Sequence, residues 1–346
     1  MEDEFLDLDT AWPLMEKFEL EVFKKVFRNS KFLNKYSAGL KGGCFGYDGL
    51  FNSTPYEISL QQSFIHYTSL QSLSSILING YFRFSEFRHF EDKAELHYAS
   101  MLFDDNEILK SSSQKIDDKK ECCFALSACI VPDETMKNSF MWEKYGNKGR
   151  GVIIQFKLNY NKSCNFLFGK MQYGDKELKP IKKLKELAQK FYADNNKFKY
   201  DDFSEVILEL LAYHKFEKYR EENEVRIFCR EDKVKYDGLC HEAIYKDITS
   251  DNEVRYFFRT FLAERKSVLE KEAFEILNDS EKTKSSIKEY FEHYPTFEIE
   301  KIILGNNVSD EQKFEIVELI NSIKAKYNYS FNITHLNKEN ELLSWH

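Results

Sequence analysis

Four short stretches of this chain carry side chains that could do chemistry together. In "SFIHYTS" a single imidazole, His66, stands at the end of a short apolar run and is followed by Tyr67, Thr68 and Ser69. A neutral histidine donates from one ring nitrogen and accepts at the other, which suits a ribose hydroxyl or a proton in transfer. The same residue also reads as a satisfied core histidine near a sheet end, and residue type alone favours that. In "HFEDKAELHY" Asp92 and Glu95 are three apart and share one helical face, open to acid–base work or a metal. Acids at a helix start are equally favoured by the macrodipole. His89 and His97, eight apart, match no zinc spacing.

The third stretch is "MWEKYGNKGRGVIIQF". Trp142 and Tyr145 are one helical turn apart, and Gly146, Gly149 and Gly151 follow. Aromatic rings beside close-approach glycines make a wall for a planar ligand ring, or simply a packed core with a turn. The fourth is "EKYREENEVRIF". Read as a strand, it places Glu222, Glu224 and Arg226 on one face and Val225 and Ile227 on the other. Three charges along one strand face imply solvent, the plainer reading, or a lined cleft, which the strongly apolar neighbouring strands make credible.

The elements that must position these residues follow from periodicity. "SFIHY" reads as a strand, with Thr68 and Gln71 as the capping box of the next helix. Leu70, Leu73, Ile76 and Leu77 form its apolar face, and Asn79-Gly80 its left-handed stop. "YFRFSEF", "CCFALSACI", "RGVIIQFKL", "ENEVRIFC", "FEIEKIILG" and "YSFNITHL" read as further strands. Ser309 and Gln312 cap the amphipathic "DEQKFEIVELINSIKAKY". Residues 178–220, with Phe203, Val206, Ile207, Leu210 and Leu211 as an apolar stripe, and residues 236–293 read as helical insertions. The expected organisation is a helical lead-in over 1–60, then a single α+β domain over 61–346 with a mixed, mostly antiparallel sheet. "AGLKGGCFGYDG" holds five of the thirteen glycines but lacks a phosphate-loop order, so it reads as a connector.

Composition bounds the partners. The 346 residues carry a net charge of −8, so general attraction to nucleic acid is not expected and any contact needs a local basic patch. The seven cysteines form no C-x-x-C pair. With no signal peptide and no apolar run near membrane length, the expectation is reduced thiols in a bacterial-type cytoplasm and no membrane partner. A nuclease would need a clustered Asp…Glu-x-Lys metal site, and the sequence offers no convincing one; no metal is expected.

Taken in order, the pieces resemble a bacterial family catalogued only as a domain of unknown function. They are His66, Tyr67, Asp92, Glu95, Ser127, Trp142, Tyr145, Gly146, Gly151, Lys215, Glu222, Glu224, Arg226 and Gly305, spread over roughly residues 60–336. Glu91-Asp92 stands where that family shows Asn-Asp, and Tyr219 where it often shows Trp. Its opening in turn resembles the first strand of ADP-ribosyltransferases, where an H-x-T-like strand, a helix ending in I-L-x-x-G, an aromatic stack and a late glutamate build one NAD cleft.

That second resemblance implies a split sheet and a set of roles. His66, with Tyr67, Thr68 and Ser127 around it, would hold the adenosine-side ribose of NAD in one cleft with Glu224. Tyr145 or Trp142, partly exposed, would stack on the nicotinamide. Glu224, with Glu222 beside it, would supply the catalytic carboxylate. Arg226 would pair with Glu224 or clamp the pyrophosphate. NAD would be a substrate, and the ADP-ribose acceptor a protein, a nucleic acid or water. The biological setting implied is a stand-alone toxin or an antiphage effector. The competing expectation is a non-enzymatic module that binds a nucleotide, or a protein partner through the helical insertions.

Overall fold

A computed structural model describes residues 8–29, 31–33, 44–46, 49–90, 92, 96–100, 120–121, 123–131, 138–160, 166–195, 209–230, 244–248, 252–267, 271, 295–337 and 342–344. Helices accompany a mixed, mostly antiparallel sheet, so the fold class is α+β. The chain divides into two units. One comprises 1–58, 87–123 and 167–220; the other comprises 59–86, 124–166 and 221–346.

In the first unit, helix Leu8–Glu21 packs on helix Lys179–Asp194 through Phe18, whose ring centroid lies 5.0 Å from Phe191 and 5.8 Å from Tyr192. A second aromatic group joins Phe51, Tyr56 and Tyr213, with Phe51 stacked on Tyr56 at 4.7 Å and edge-on to Tyr213 at 4.9 Å. The buried His214 ties this group to the backbone. Its Nδ1–H donates to the Leu210 carbonyl (3.0 Å), which leaves Nε2 to accept from the Tyr56 hydroxyl (3.1 Å). Within 178–220 the described chain is helical at Lys179–Asp194 and extended at His214–Lys215. Leu210 and Leu211 are buried as expected, whereas Phe203, Val206 and Ile207 lie outside the described residues.

The second unit holds β1 (Phe64–Thr68), β2 (Tyr81–Glu86), β3 (Cys123–Ile130), β4 (Val152–Asn159), β5 (Glu224–Arg230), β6 (Ile244–Ile248), β7 (Val254–Phe261), β8 (Thr296–Leu304), β9 (Asn332–Leu336) and β10 (Leu342–Ser344). Their order is β6-β7-β2-β3-β1-β4-β8-β9-β10, and β5 pairs with β3 off that path. β8 and β9 run parallel; the pairs β1–β3, β1–β4, β2–β3, β2–β7, β4–β8 and β6–β7 are antiparallel. Between β1 and β2 runs helix Leu70–Asn79. Its cap is Ser69, which accepts from the Ser72 amide, rather than Thr68, which stays in the strand. Gly80 ends it at φ 77°, a left-handed turn open to glycine. The expected capping box of Ser309 and Gln312 is present on helix Asp310–Tyr327.

One expected helix is a strand. The stretch "VRYFFRTF" within 236–293 is β7, paired with β2 from Phe257–Ser85 to Phe261–Tyr81 and with β6 from Ile244–Phe258 to Ile248–Val254. Arg255 and Arg259 recur at a four-residue spacing that imitates a helix face, but the run is dense in β-formers and has strands to pair on both edges.

The two sheet faces are unlike. Ile65, Tyr67, Cys129, Ile153, Ile303 and Leu336 form one core cluster with Met141 and Trp142 of helix Ser139–Lys144. The other face carries Phe82, Phe156 and Phe297, with ring centroids 4.8–5.4 Å apart.

Candidate functional site

Ser127 is the junction of the site. β3 pairs with β1 through Cys129 and Ile130 and with β2 through Ala125 and Phe124; both registers stop short of Ser127. Its carbonyl accepts from His66 Nδ1 at 2.9 Å, and its hydroxyl donates to Glu224 Oε1 at 2.5 Å. A carbonyl only accepts, so the His66 proton sits on Nδ1. Burial holds the His66 pKa below its ordinary value, and the Ser127 carbonyl opposes that in part.

Glu224 opens β5, a strand buried along its whole length. Its Oε1 also takes Arg226 Nε and Nη2, each at 2.9 Å. Glu224 is 3% exposed and Arg226 0%. The three donors on one oxygen fix that carboxylate, and Arg226 compensates its charge where water cannot. Of the two expected roles for Arg226, pairing with Glu224 is the one this geometry serves; a wholly buried guanidinium offers nothing to a pyrophosphate.

Glu222 is not a strand residue. It ends the 3-10 turn Glu217–Glu222, and Asn223 at φ 42° breaks the run before β5 starts, so strand alternation does not reach it. Its carboxylate is nevertheless buried, accepting from Lys144 Nζ (2.7 Å) and the Tyr145 hydroxyl (2.8 Å). Cys129 Sγ donates to the Glu222 carbonyl (3.2 Å), and Asn138, the cap of helix Ser139–Lys144, donates to the Glu221 carbonyl (3.0 Å). Together these bonds strap that helix to the start of β5.

Two expectations are corrected here. Trp142 is 4% exposed, edge-on to Tyr67 at 5.2 Å, so it packs the core and presents no ring to a ligand. Tyr67 and Thr68 are buried as well. Tyr145 is half-buried, with its hydroxyl on Glu222 and the Lys144 ammonium 4.7 Å from its ring centroid. The second correction concerns His66 and Glu224 as walls of one cleft. His66 alternates with Ile65 and Tyr67, which join the Trp142 cluster, and its ring instead meets Phe82 edge-on at 5.8 Å. Ser127 alternates with Cys129, a member of the Trp142 cluster, so the hydroxyl that reaches Glu224 lies on that side. His66 and Glu224 therefore lie on opposite faces, the expected NAD cleft shared by the two is not formed, and His66 is linked to the carboxylate only through the Ser127 backbone.

The remaining expected residues lie apart. The glycines serve close packing: a Cβ on Gly146 would collide with the Trp142 ring, and one on Gly151 with the Thr68 carbonyl. A Cβ on Gly305 would meet the Gly149 carbonyl. Lys215, in the first unit, is buried with its ammonium 5.6 Å from the Tyr219 ring. Asp92 is half-buried, and Glu95 lies outside the described residues. Among the described residues no group of three His, Cys, Asp or Glu could hold a metal, and no helix is long and apolar enough to cross a membrane. Lys144 is the contact that sequence reading missed; its position one turn after Phe140 gave no sign that it would reach Glu222.

A family model described as "Protein of unknown function (DUF2971)" matches residues 141–227. That stretch holds Trp142, Tyr145, Gly146, Gly151, Lys215, Glu222, Glu224 and Arg226, whereas His66, Ser127 and Gly305 lie outside it. No curated protein and no solved structure matches the chain.

Proposed function

We propose that the second unit is an NAD-cleaving module of the ADP-ribosyltransferase type, with a split sheet around Ser127 and Glu224 as its carboxylate. The observation that carries this reading is the Glu224 carboxylate, fixed by Arg226 and Ser127 where the registers of β3 with β1 and with β2 part. At 3% exposure it is covered in this structure, so the reading requires that nucleotide binding uncover it. In the reaction the bond between nicotinamide nitrogen and ribose C1′ breaks, and nicotinamide leaves with the electron pair. The ribose becomes oxocarbenium-like, and a preorganised carboxylate stabilises that positive charge. An acceptor nucleophile then bonds to C1′ and loses its proton. On this reading Tyr145, half-buried beside Glu222, is the aromatic residue that meets the nicotinamide, and His66 sets the Ser127 segment from behind. The biological role this suggests is a toxin or antiphage effector modifying a macromolecular acceptor.

A second reading, a non-enzymatic nucleotide- or protein-binding module, is favoured by the burial of Glu224 and by its mutual satisfaction with Arg226. Nicotinamide release separates the two. Purified protein incubated with NAD and cell extract as a source of acceptor yields free nicotinamide on the first reading. NAD binding without release supports the second.

A further inference from the structure

We infer that the outer face of helix Lys179–Asp194, in the first unit, docks on the phosphate backbone of a nucleic acid duplex, an inference independent of the reading of Glu224. The whole chain carries a net charge of −8, so such contact needs a local basic patch. Residues 176–190, "KELKPIKKLKELAQK", supply one, with six lysines against two glutamates. Ile181, Leu184, Ala188, Phe191 and Tyr192 are the buried side of the helix. At about 100° per residue, Lys179, Lys182, Lys183, Glu186 and Lys190 fall on the opposite side, and all five are exposed. Glu186 takes Lys183 at 3.4 Å, and Glu177 faces Arg220 at 3.9 Å. Among the described residues Lys179, Lys182 and Lys190 have no ionic partner.

Helix stability does not account for these charges. The macrodipole favours acids in the first turn of a helix and bases in the last. Here the first turn has no acid and the last no base: Lys179 opens the helix, Asp194 ends it, and the cap, Leu178, brings no side-chain acceptor. Lys179 and Lys182 are three apart, a spacing at which like charges repel. The Lys183–Glu186 pair joins two exposed side chains and contributes little. A row of cations held against the preference of its own helix fits an anion from outside the chain. Lys179 to Lys190 spans about 16 Å of helix axis, which matches about five nucleotide steps along one strand of a duplex. The outward positions from Lys179 to Ala193 carry no aromatic ring, so bases have nothing to stack on and the backbone is what this face can read. A membrane surface fits less well, because the apolar side that would insert is packed on Phe18 through Phe191.

The test is fluorescence anisotropy of a labelled duplex of about 20 base pairs and arbitrary sequence, titrated with the full chain from about 50 to about 200 mM salt. Three lysines displace about three counterions, so wild-type affinity falls roughly fortyfold across that range. Lys179→Gln, Lys182→Gln and Lys190→Gln each weaken binding about tenfold at about 50 mM salt and make the log–log salt slope shallower by about one. Glu186→Gln, which releases Lys183, tightens binding and steepens the slope by about one. Lys148→Gln, at an exposed lysine of the second unit, binds as wild type does. Because Lys179 opposes the macrodipole, Lys179→Gln unfolds in urea no earlier than wild type, so its lost binding is not a folding defect. Absence of duplex binding by wild type at about 50 mM salt, unchanged slopes in the three lysine variants, equal weakening in Lys148→Gln, or earlier unfolding of Lys179→Gln overturns the inference. So does tighter binding to vesicles of phosphatidylserine and phosphatidylcholine, or to polyglutamate, than to the duplex.

Discussion

Replacing Glu224 tests more than chemistry, because its partner is buried. Glu224→Gln keeps an oxygen to accept from Ser127 but removes the charge that compensates Arg226, a guanidinium with no exposed surface. Removing one member of a buried ion pair costs about 3–5 kcal/mol, since the other is left as an uncompensated charge. Arg226→Met should cost a similar amount by stranding Glu224. In Glu224→Gln/Arg226→Met neither charge remains and the Ser127 bond can persist, so the double variant should lose no more than about 2 kcal/mol. Equilibrium urea denaturation of the four proteins, followed by circular dichroism and fluorescence, measures the cycle. Singles that cost under about 1 kcal/mol each, or a double variant that loses the sum of its singles, would refute the coupled-pair account.

Stability should also depend on pH through His214, whose pKa burial pulls from 6.5 to about 4. The unfolded chain takes up this proton below about pH 6.5 while the folded one stays neutral, so stability falls as pH drops from about 6.5 to about 4, by at most about 3 kcal/mol. Melting temperatures across that range should show the slope, and His214→Gln should reduce it, leaving the part of the same sign that the buried His66 contributes. Trp142→Ala should cost about 3–5 kcal/mol as a core truncation. Tyr145→Phe should cost about 1–3 kcal/mol for the lost bond to Glu222. Denaturation midpoints that reverse that order would contradict the burial of Trp142.

Much of this site could be read from residue order. The strands carrying His66, Ser127 and Glu224, the Gly80 stop and the Ser309–Gln312 box all follow from local pattern, because alternation and capping are local physics. What failed was what tertiary contact decides. The aromatic run of β7 satisfies helix and strand periods alike, and only its partners on both edges choose. Glu222 lost its strand parity to the left-handed Asn223. Trp142 and Tyr145, one turn apart, look equivalent in sequence, but Tyr67 and Gly146 close over Trp142, whereas Tyr145 packs against the same cluster half-buried.

The central claim is that the Glu224 carboxylate stabilises a ribosyl cation. Its most direct measurement is the rate of nicotinamide release at saturating NAD, with cell extract as acceptor, for wild type and for Glu224→Gln at a temperature where the variant is folded. The account predicts release by wild type, slowed in the variant by on the order of a hundredfold or more, with NAD affinity changed far less because the ground-state ribose is neutral. Equal rates in the two proteins, or no release by wild type under any acceptor supply, would contradict it.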